Sequence, residues 1–149
     1  ISLVIKSALN ELLQHPLAKD ITFIPELELA FYPIREEELH SIIMNLVLNA
    51  MDAINEFNQN HDDQERNGKI LINCYQQSNQ IMIDVIDNGP GISEQNLPSI
   101  FEPFFTTKPL LGTGLGLSII KRIIERKNGQ LTVVSNSDQT TFTVSFTLS

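Results

Sequence analysis

Between Glu36 and Phe57 the residues Leu39, Ile42, Ile43, Leu46, Ala50, Ala53, Ile54 and Phe57 recur at intervals of three and four. Only an α-helix turns that spacing into one continuous apolar stripe, and a stripe this long must be buried against a second layer. The later segments offer one. Lys69–Gln76 and Gln80–Asp87, rich in Ile, Val and Tyr and joined by Gln77-Ser78-Asn79, read as a hairpin, and two more strands are predicted near 131–136 and 141–148. Leu115–Lys127 has helical spacing, with Asn128-Gly129 as its stop.

The rest of the chain fits around these pieces. Leu3, Val4, Ala8, Leu12 and Leu13 predict a short helix ended by Pro16, and Ile21-Thr22-Phe23-Ile24 with Leu27, Leu29 and Phe31 predict two short strands before Pro33. Glu36-Glu37-Glu38 place acids at the positive end of the long helix. The polar stretch Asn58–Gly68 reads as a surface loop, Ser93 as the cap of a short helix through Ile100, and Phe101–Thr113 as irregular. Runs of strands with few helices between them predict an α+β fold, a two-layer α/β sandwich.

At 149 residues and 42% hydrophobic content the chain can bury roughly two thirds of its unfolded surface, enough for one domain without disulfides or a structural metal. Cys74 has no partner at disulfide or metal-ligand spacing, which fits a reducing compartment and so the cytoplasm. No apolar run approaches the ~20 residues of a membrane span, and the start lacks a leader and an initiator Met, so a piece of a longer protein is expected. The net charge of -8 resides entirely in residues 1–68, with 4 basic and 12 acidic side chains; residues 69–149 hold 6 of each. Duplex nucleic acid is therefore disfavoured as a partner.

Four stretches carry chemistry. Asn45, Asn49 and Asp52 fall within roughly 60° of one another on the long helix, at the edge of its apolar stripe. Two readings fit: short polar residues hydrogen-bonding on a half-buried face, or oxygen donors for a magnesium ion that takes phosphate as a further ligand. Asp87-Asn88-Gly89-Pro90-Gly91 follows a strand; it is either an ordinary turn or a close approach to a flat ligand, with a carboxylate able to accept from an exocyclic amine. Gly112, Gly114 and Gly116 stand at a helix start, where free amides and the dipole attract phosphate. The Gly-Lys-Ser/Thr ending of a Walker loop is absent, and so is the G-x-G-x-x-G spacing of a dinucleotide fold. Phe101-Glu102-Pro103-Phe104-Phe105-Thr106-Thr107-Lys108 suits either a core-plugging loop or a lid offering Lys108 to a phosphate.

Together these stretches resemble the ATP-binding catalytic domain of bacterial sensor histidine kinases, in the GHKL superfamily. NLVLNAMDA (45–53) is similar to its N box, DNGPG (87–91) to its G1 box, FEPFF (101–105) to its F box and GTGLGLS (112–118) to its G2 box, over about residues 20–148. The resemblance implies the Bergerat sandwich, a mixed sheet backed by helices, with Mg-ATP held under a lid. Position by position it implies that Asn49 and Asn45 serve magnesium, Asp87 the adenine amino group, Gly89 and Gly91 the base pocket, and Gly112, Gly114 and Gly116 the phosphates. The cofactor-binding set extends to Asp52, Ile92, Phe105, Thr107, Thr113 and Leu115. Lys108, in a short Thr-Thr-Lys lid similar to that of nitrogen-regulation-type kinases, would reach the terminal phosphate.

The same resemblance sets the expected partners and limits. Hydrolysing members of the superfamily carry a Glu general base where Asn45 stands, and an amide cannot take a proton from water at neutral pH. Asn45 and Lys108 are thus expected to serve transfer rather than hydrolysis. His15, His40 and His61 do not match a phosphoacceptor, so the acceptor is expected on a dimerisation domain upstream, with residues 1–17 the end of its helix and linker and 18–149 the catalytic domain. A response-regulator receiver would take the phosphate next, and no direct membrane contact by this domain is expected, although the parent protein can be membrane-anchored. The alternatives are a docking module without kinase activity, a GHKL ATPase and an anti-sigma-type serine kinase. Asp138-Gln139-Thr140-Thr141-Phe142 keeps the Thr of a family Gly-Thr pair without its Gly; that turn is expected to lie away from the ATP boxes.

Overall fold

Alternating apolar residues build the sheet. β1 (Ile21–Leu27), β2 (Gly68–Gln77), β3 (Gln80–Asp87), β4 (Gln130–Asn136) and β5 (Gln139–Thr147) stand in the order β1-β2-β3-β5-β4. β1 runs parallel to β2, and every other neighbouring pair is antiparallel, so the sheet is mixed. The parallel pair follows from connectivity, because α2 (Glu36–Asn60) carries the chain from β1 back to the start of β2. The computed structural model describes residues 2–27, 34–60, 67–103 and 116–148.

Period two puts Ile70, Ile72 and Cys74 of β2, Ile81, Ile83 and Val85 of β3, and Phe142, Val144 and Phe146 of β5 on one buried face. Leu39, Ile42, Ile43, Leu46, Ala50 and Ile54 of α2 cover that face together with Ile120 and Ile124 of α3 (Gly116–Arg126). α1 (Ser2–Leu13) adds Ile5, Ala8, Leu9 and Leu12 to the same core and packs on α2. Asn55 of α2 donates to the carbonyls of Leu17 at 2.9 Å and Met51 at 2.8 Å, which fixes the 3-10 turn Pro16–Ala18 against the helix.

Two local expectations are corrected. The first strand, expected over Ile21–Ile24, continues through Pro25 to Leu27, an edge position that tolerates a residue without an N–H; Leu29 and Phe31 of the second expected strand lie outside the described residues. The helix expected from Ser93 to Ile100 is a capped turn and one 3-10 turn, Leu97–Ser99. Ser93 Oγ accepts the Asn96 N–H at 3.3 Å, but Pro98 has no N–H to continue an α-helical ladder, and Ser99 bonds back to the Asn96 carbonyl at 2.9 Å.

α3 ends in tight geometry. Asn128 adopts a φ of 56°, its N–H donates to Glu125 O at 3.0 Å, and the Gly129 N–H donates to Ile124 O at 2.9 Å, the paired bonds of a Schellman motif. A Cβ on Gly129 would lie 2.7 Å from the Ser145 carbonyl oxygen and 2.8 Å from the Phe146 ring. Gly129→Ala is therefore expected to lower stability by ~1–3 kcal/mol, as overpacking does. An unchanged denaturation midpoint would show that the strand relaxes freely there.

Lys127 of the same turn lies 3.6 Å from Glu38, which Arg35 also pairs at 3.1 Å. Partial burial pushes the Glu38 carboxyl up, but the Arg35 hydrogen bonds and the two cations outweigh it and hold the group below the usual carboxylate range.

Candidate nucleotide site

Period two also places the candidate functional residues. In phase with Ile81, Ile83 and Val85, the next residue of β3 is Asp87, 3% exposed; in phase with Phe142 and Val144, β5 begins with Thr140, also 3% exposed. Ser135 follows Leu131 and Val133 on β4. The register aligns all three in one rung: Asp87 faces Thr140, and Thr140 faces Ser135. Polar groups thus replace apolar ones at the end of the helix-facing side of the sheet.

The loop leaving Asp87 is held on several sides. Asp87 Oδ1 accepts the Gly89 N–H at 2.8 Å, and a Cβ on Gly89 would lie 2.8 Å from that oxygen and 3.4 Å from Ala53 Cβ, so the turn sits on α2. Gly91 has a φ of 81°, and a Cβ there would lie 1.7 Å from the Asn136 carbonyl oxygen. The Ile92 N–H donates to Ser135 Oγ at 2.8 Å, and Ser135 Oγ is 2.8 Å from Thr140 Oγ1. Asn88 turns the other way: its side chain accepts the Lys69 N–H and donates to the Asn67 carbonyl, both at 2.8 Å, and so closes the start of β2.

One expectation is overturned here. The stretch Asp138–Phe142 does not lie apart from the loops; Thr140 stands directly opposite Asp87. The glycine lacking before Thr140 is not needed, because Gln139, which stands in its place at the start of β5, has no positive φ, nor have Ser137 and Asp138, and Asn136 Oδ1 accepts the Asp138 N–H at 2.9 Å.

Asn45, Asn49 and Asp52 line one half-buried edge of α2, as the helical spacing requires. Asn45 Nδ2 donates to Ser41 O at 2.8 Å, which turns Oδ1 away; a Cβ on Gly116, the first residue of α3, would lie 2.8 Å from that oxygen. Asn45 therefore meets the start of α3 while Ala53 meets Gly89, eight residues or about 12 Å further along α2. Asn49 lies midway. Among the described residues no group of three or more His, Cys, Asp or Glu is placed to hold a metal; the oxygen donors this edge offers are the amides of Asn45 and Asn49 and the carboxylate of Asp52. That set suits a magnesium ion that keeps waters and shares phosphate oxygens.

Phe101 packs edge to face on Phe142, centroids 6.3 Å apart, with Lys121 Nζ 5.2 Å above its ring. Phe105, Thr107, Lys108, Gly112, Thr113, Gly114 and Leu115 lie outside the described residues. Ser135 and Thr140 were not among the sequence-predicted site residues; the signal for them is the polar residue continuing each apolar alternation.

Residues 34–149 match the family model described as histidine kinase-, DNA gyrase B-, and HSP90-like ATPase. The chain belongs to this family. This histidine kinase-like ATPase domain is 39% identical over 118 residues to the signal transduction histidine-protein kinase AtoS of Escherichia coli K12, covering 77% of this chain and 18% of AtoS. To the sensor histidine kinase ZraS of the same strain it is 35% identical over 109 residues, covering 72% of this chain and 21% of ZraS. The domain thus spans about a fifth of the length of these curated relatives. The catalytic domain of histidine kinase ThkA superposes with a TM-score of 0.79 at 28% identity, over 99% of this chain and 91% of that one. No helix among the described residues is long and apolar enough to cross a membrane.

Proposed function

We propose that this ATP-binding domain holds Mg-ATP between α2 and the loops after β3 and before α3, and presents the γ-phosphate to a histidine on a partner helical domain. The observation that carries the reading is the arrangement along α2: a buried carboxylate with its glycine loop at one end and a helix start facing Asn45 at the other. Asp87 would accept from the adenine amino group beside Gly89, Gly91 and Ile92. The amides at the start of α3, with Gly112, Thr113, Gly114, Leu115 and Gly116, would take the phosphates. Asp52, Phe105 and Thr107 would complete the nucleotide contacts.

Asn45 and Asn49 would hold magnesium through their amide oxygens. When bound, the ion supplies neutralising charge to the triphosphate. Asn45 cannot act as a base, and its NH2 is committed to the Ser41 carbonyl, so water at the γ-phosphate is not activated by this side chain. Lys108 would steady the terminal phosphate. The attacking group is then an imidazole nitrogen: its bond to phosphorus forms as the bond to the β,γ-bridging oxygen breaks, and ADP leaves. Residues 1–17 would be the end of the dimerisation helix and linker, a response-regulator receiver the next acceptor, and the cytoplasm the compartment.

Incubating the chain and labelled ATP with a helical domain bearing the acceptor histidine is expected to put acid-labile, base-stable phosphate on that domain. Free phosphate alone would favour an ATPase, acid-stable label a serine kinase, and binding without either a docking module.

A further inference from the structure

We propose that Ser135 is a positioning residue for the base pocket, the clasp by which the end of β4 holds the Gly89–Ile92 loop in its ligand-binding shape. The inference rests on the nucleotide reading above and assigns a role to a residue that touches the loop rather than the ligand.

Two independent contacts at adjacent residues carry it. Ser135 Oγ accepts the Ile92 N–H at 2.8 Å, and the Asn136 carbonyl sits so close beneath Gly91 that no side chain fits between them. A serine hydroxyl has one proton and two lone pairs. One lone pair takes the Ile92 N–H, and Thr140 Oγ1 at 2.8 Å is its other close partner; the Gln139 carbonyl at 3.5 Å is at the limit of a hydrogen bond. Removing Ser135 Oγ therefore deprives two groups at once, the Ile92 amide and the Thr140 hydroxyl, and Thr140 is the buried neighbour of Asp87 across the ladder. The core does not depend on it: β4 is an edge strand, and Ser135 stands beyond the apolar rungs of Val133 and Leu131.

The loop also needs an outside clasp. Its own sequence supplies flexibility, with glycine at 89 and 91, and a short internal bond runs from the Gly89 N–H to Asp87 Oδ1. Ile92, where the chain leaves the pocket, is tied down by Ser135 across 43 residues of sequence.

The test compares Ser135→Ala, Ser135→Thr and the unaltered chain by calorimetry with ATP and by amide hydrogen exchange. Ser135→Ala is expected to weaken ATP about 10-fold, the size of one lost bond that leaves a half-buried donor unpaired. The Ile92 amide should exchange faster while the amides of β3 and β5 keep their protection, and Ser135→Thr, which restores the hydroxyl, should recover most of the affinity. Unaltered ATP affinity in Ser135→Ala would overturn the proposal. So would weaker binding accompanied by faster exchange throughout β3 and β5 and no recovery with threonine, which is general loosening. An unaltered chain that fails to bind ATP would overturn the nucleotide reading instead, and Ile92 exchange in Ser135→Ala would still decide whether the clasp exists.

Discussion

Gly91→Ala is expected to cost ~2–4 kcal/mol of stability and to remove measurable ATP binding, because two penalties fall on one methyl group. The φ of 81° is strained for any residue with a Cβ, and the Asn136 carbonyl oxygen stands 1.7 Å from where that Cβ would be. The obstacle is backbone, anchored in the β4–β5 ladder through Asn136 opposite Gln139, so it cannot swing aside as a flexible side chain would. Either the loop moves, taking Ile92 off Ser135, or the strand end unpairs. In a domain of this size the loss corresponds to roughly 5–15 °C in the thermal midpoint. Alanine at 91 with the original midpoint and the original ATP affinity would mean that the loop does not need this turn.

Asp87→Asn is expected to separate binding from folding. Asn keeps an oxygen able to accept the Gly89 N–H now made at 2.8 Å, so the turn survives and the ligand-free midpoint should move little. What changes is the other end of the group. A carboxylate is acceptor-only, whereas an amide presents an NH2 toward the exocyclic amine of adenine, donor against donor. The lost charge-assisted bond is worth ~1.5–3 kcal/mol, or about 10- to 150-fold in affinity. Equal affinities by calorimetry would remove Asp87 from the adenine contact, and a large fall in the midpoint would assign it to folding.

The legible parts of this chain were those written in local periodicity. The stripe from Leu39 to Ile54 could only be a helix, and the alternation from Ile70 to Val85 could only be strands with one face buried, so the layers followed. The glycine turn at Gly89–Gly91 was legible because glycine has few other uses at such spacing. What stayed hidden was long-range register. Nothing near Ser135 says that it will face Thr140 and then Asp87, because that alignment is set by strand order in a sheet where β5 enters between β3 and β4. Asn88 was hidden for a similar reason: as a turn residue it needed no further role, yet it bonds to Asn67 and Lys69. The proline errors are of another kind. The strand expected to stop at Ile24 runs on through Pro25, which an edge strand tolerates, and Pro98 stands inside the expected short helix and prevents it.

The Asn128–Gly129 turn makes one mechanical piece of two elements. α3 begins where Gly116 meets Asn45, and β4, which leaves that turn, ends where Ser135 and Asn136 hold the loop after Asp87. With the Ser145 carbonyl and the Phe146 ring packed against Gly129, the joint has no slack. Freedom lost at one end of this piece is therefore lost at the other as well. A ligand with both a base and a polyphosphate pays that ordering entropy once, whereas two separate fragments would each meet it in full. On the proposed nucleotide reading, whole nucleotides are therefore expected to bind better than their parts without a further contact.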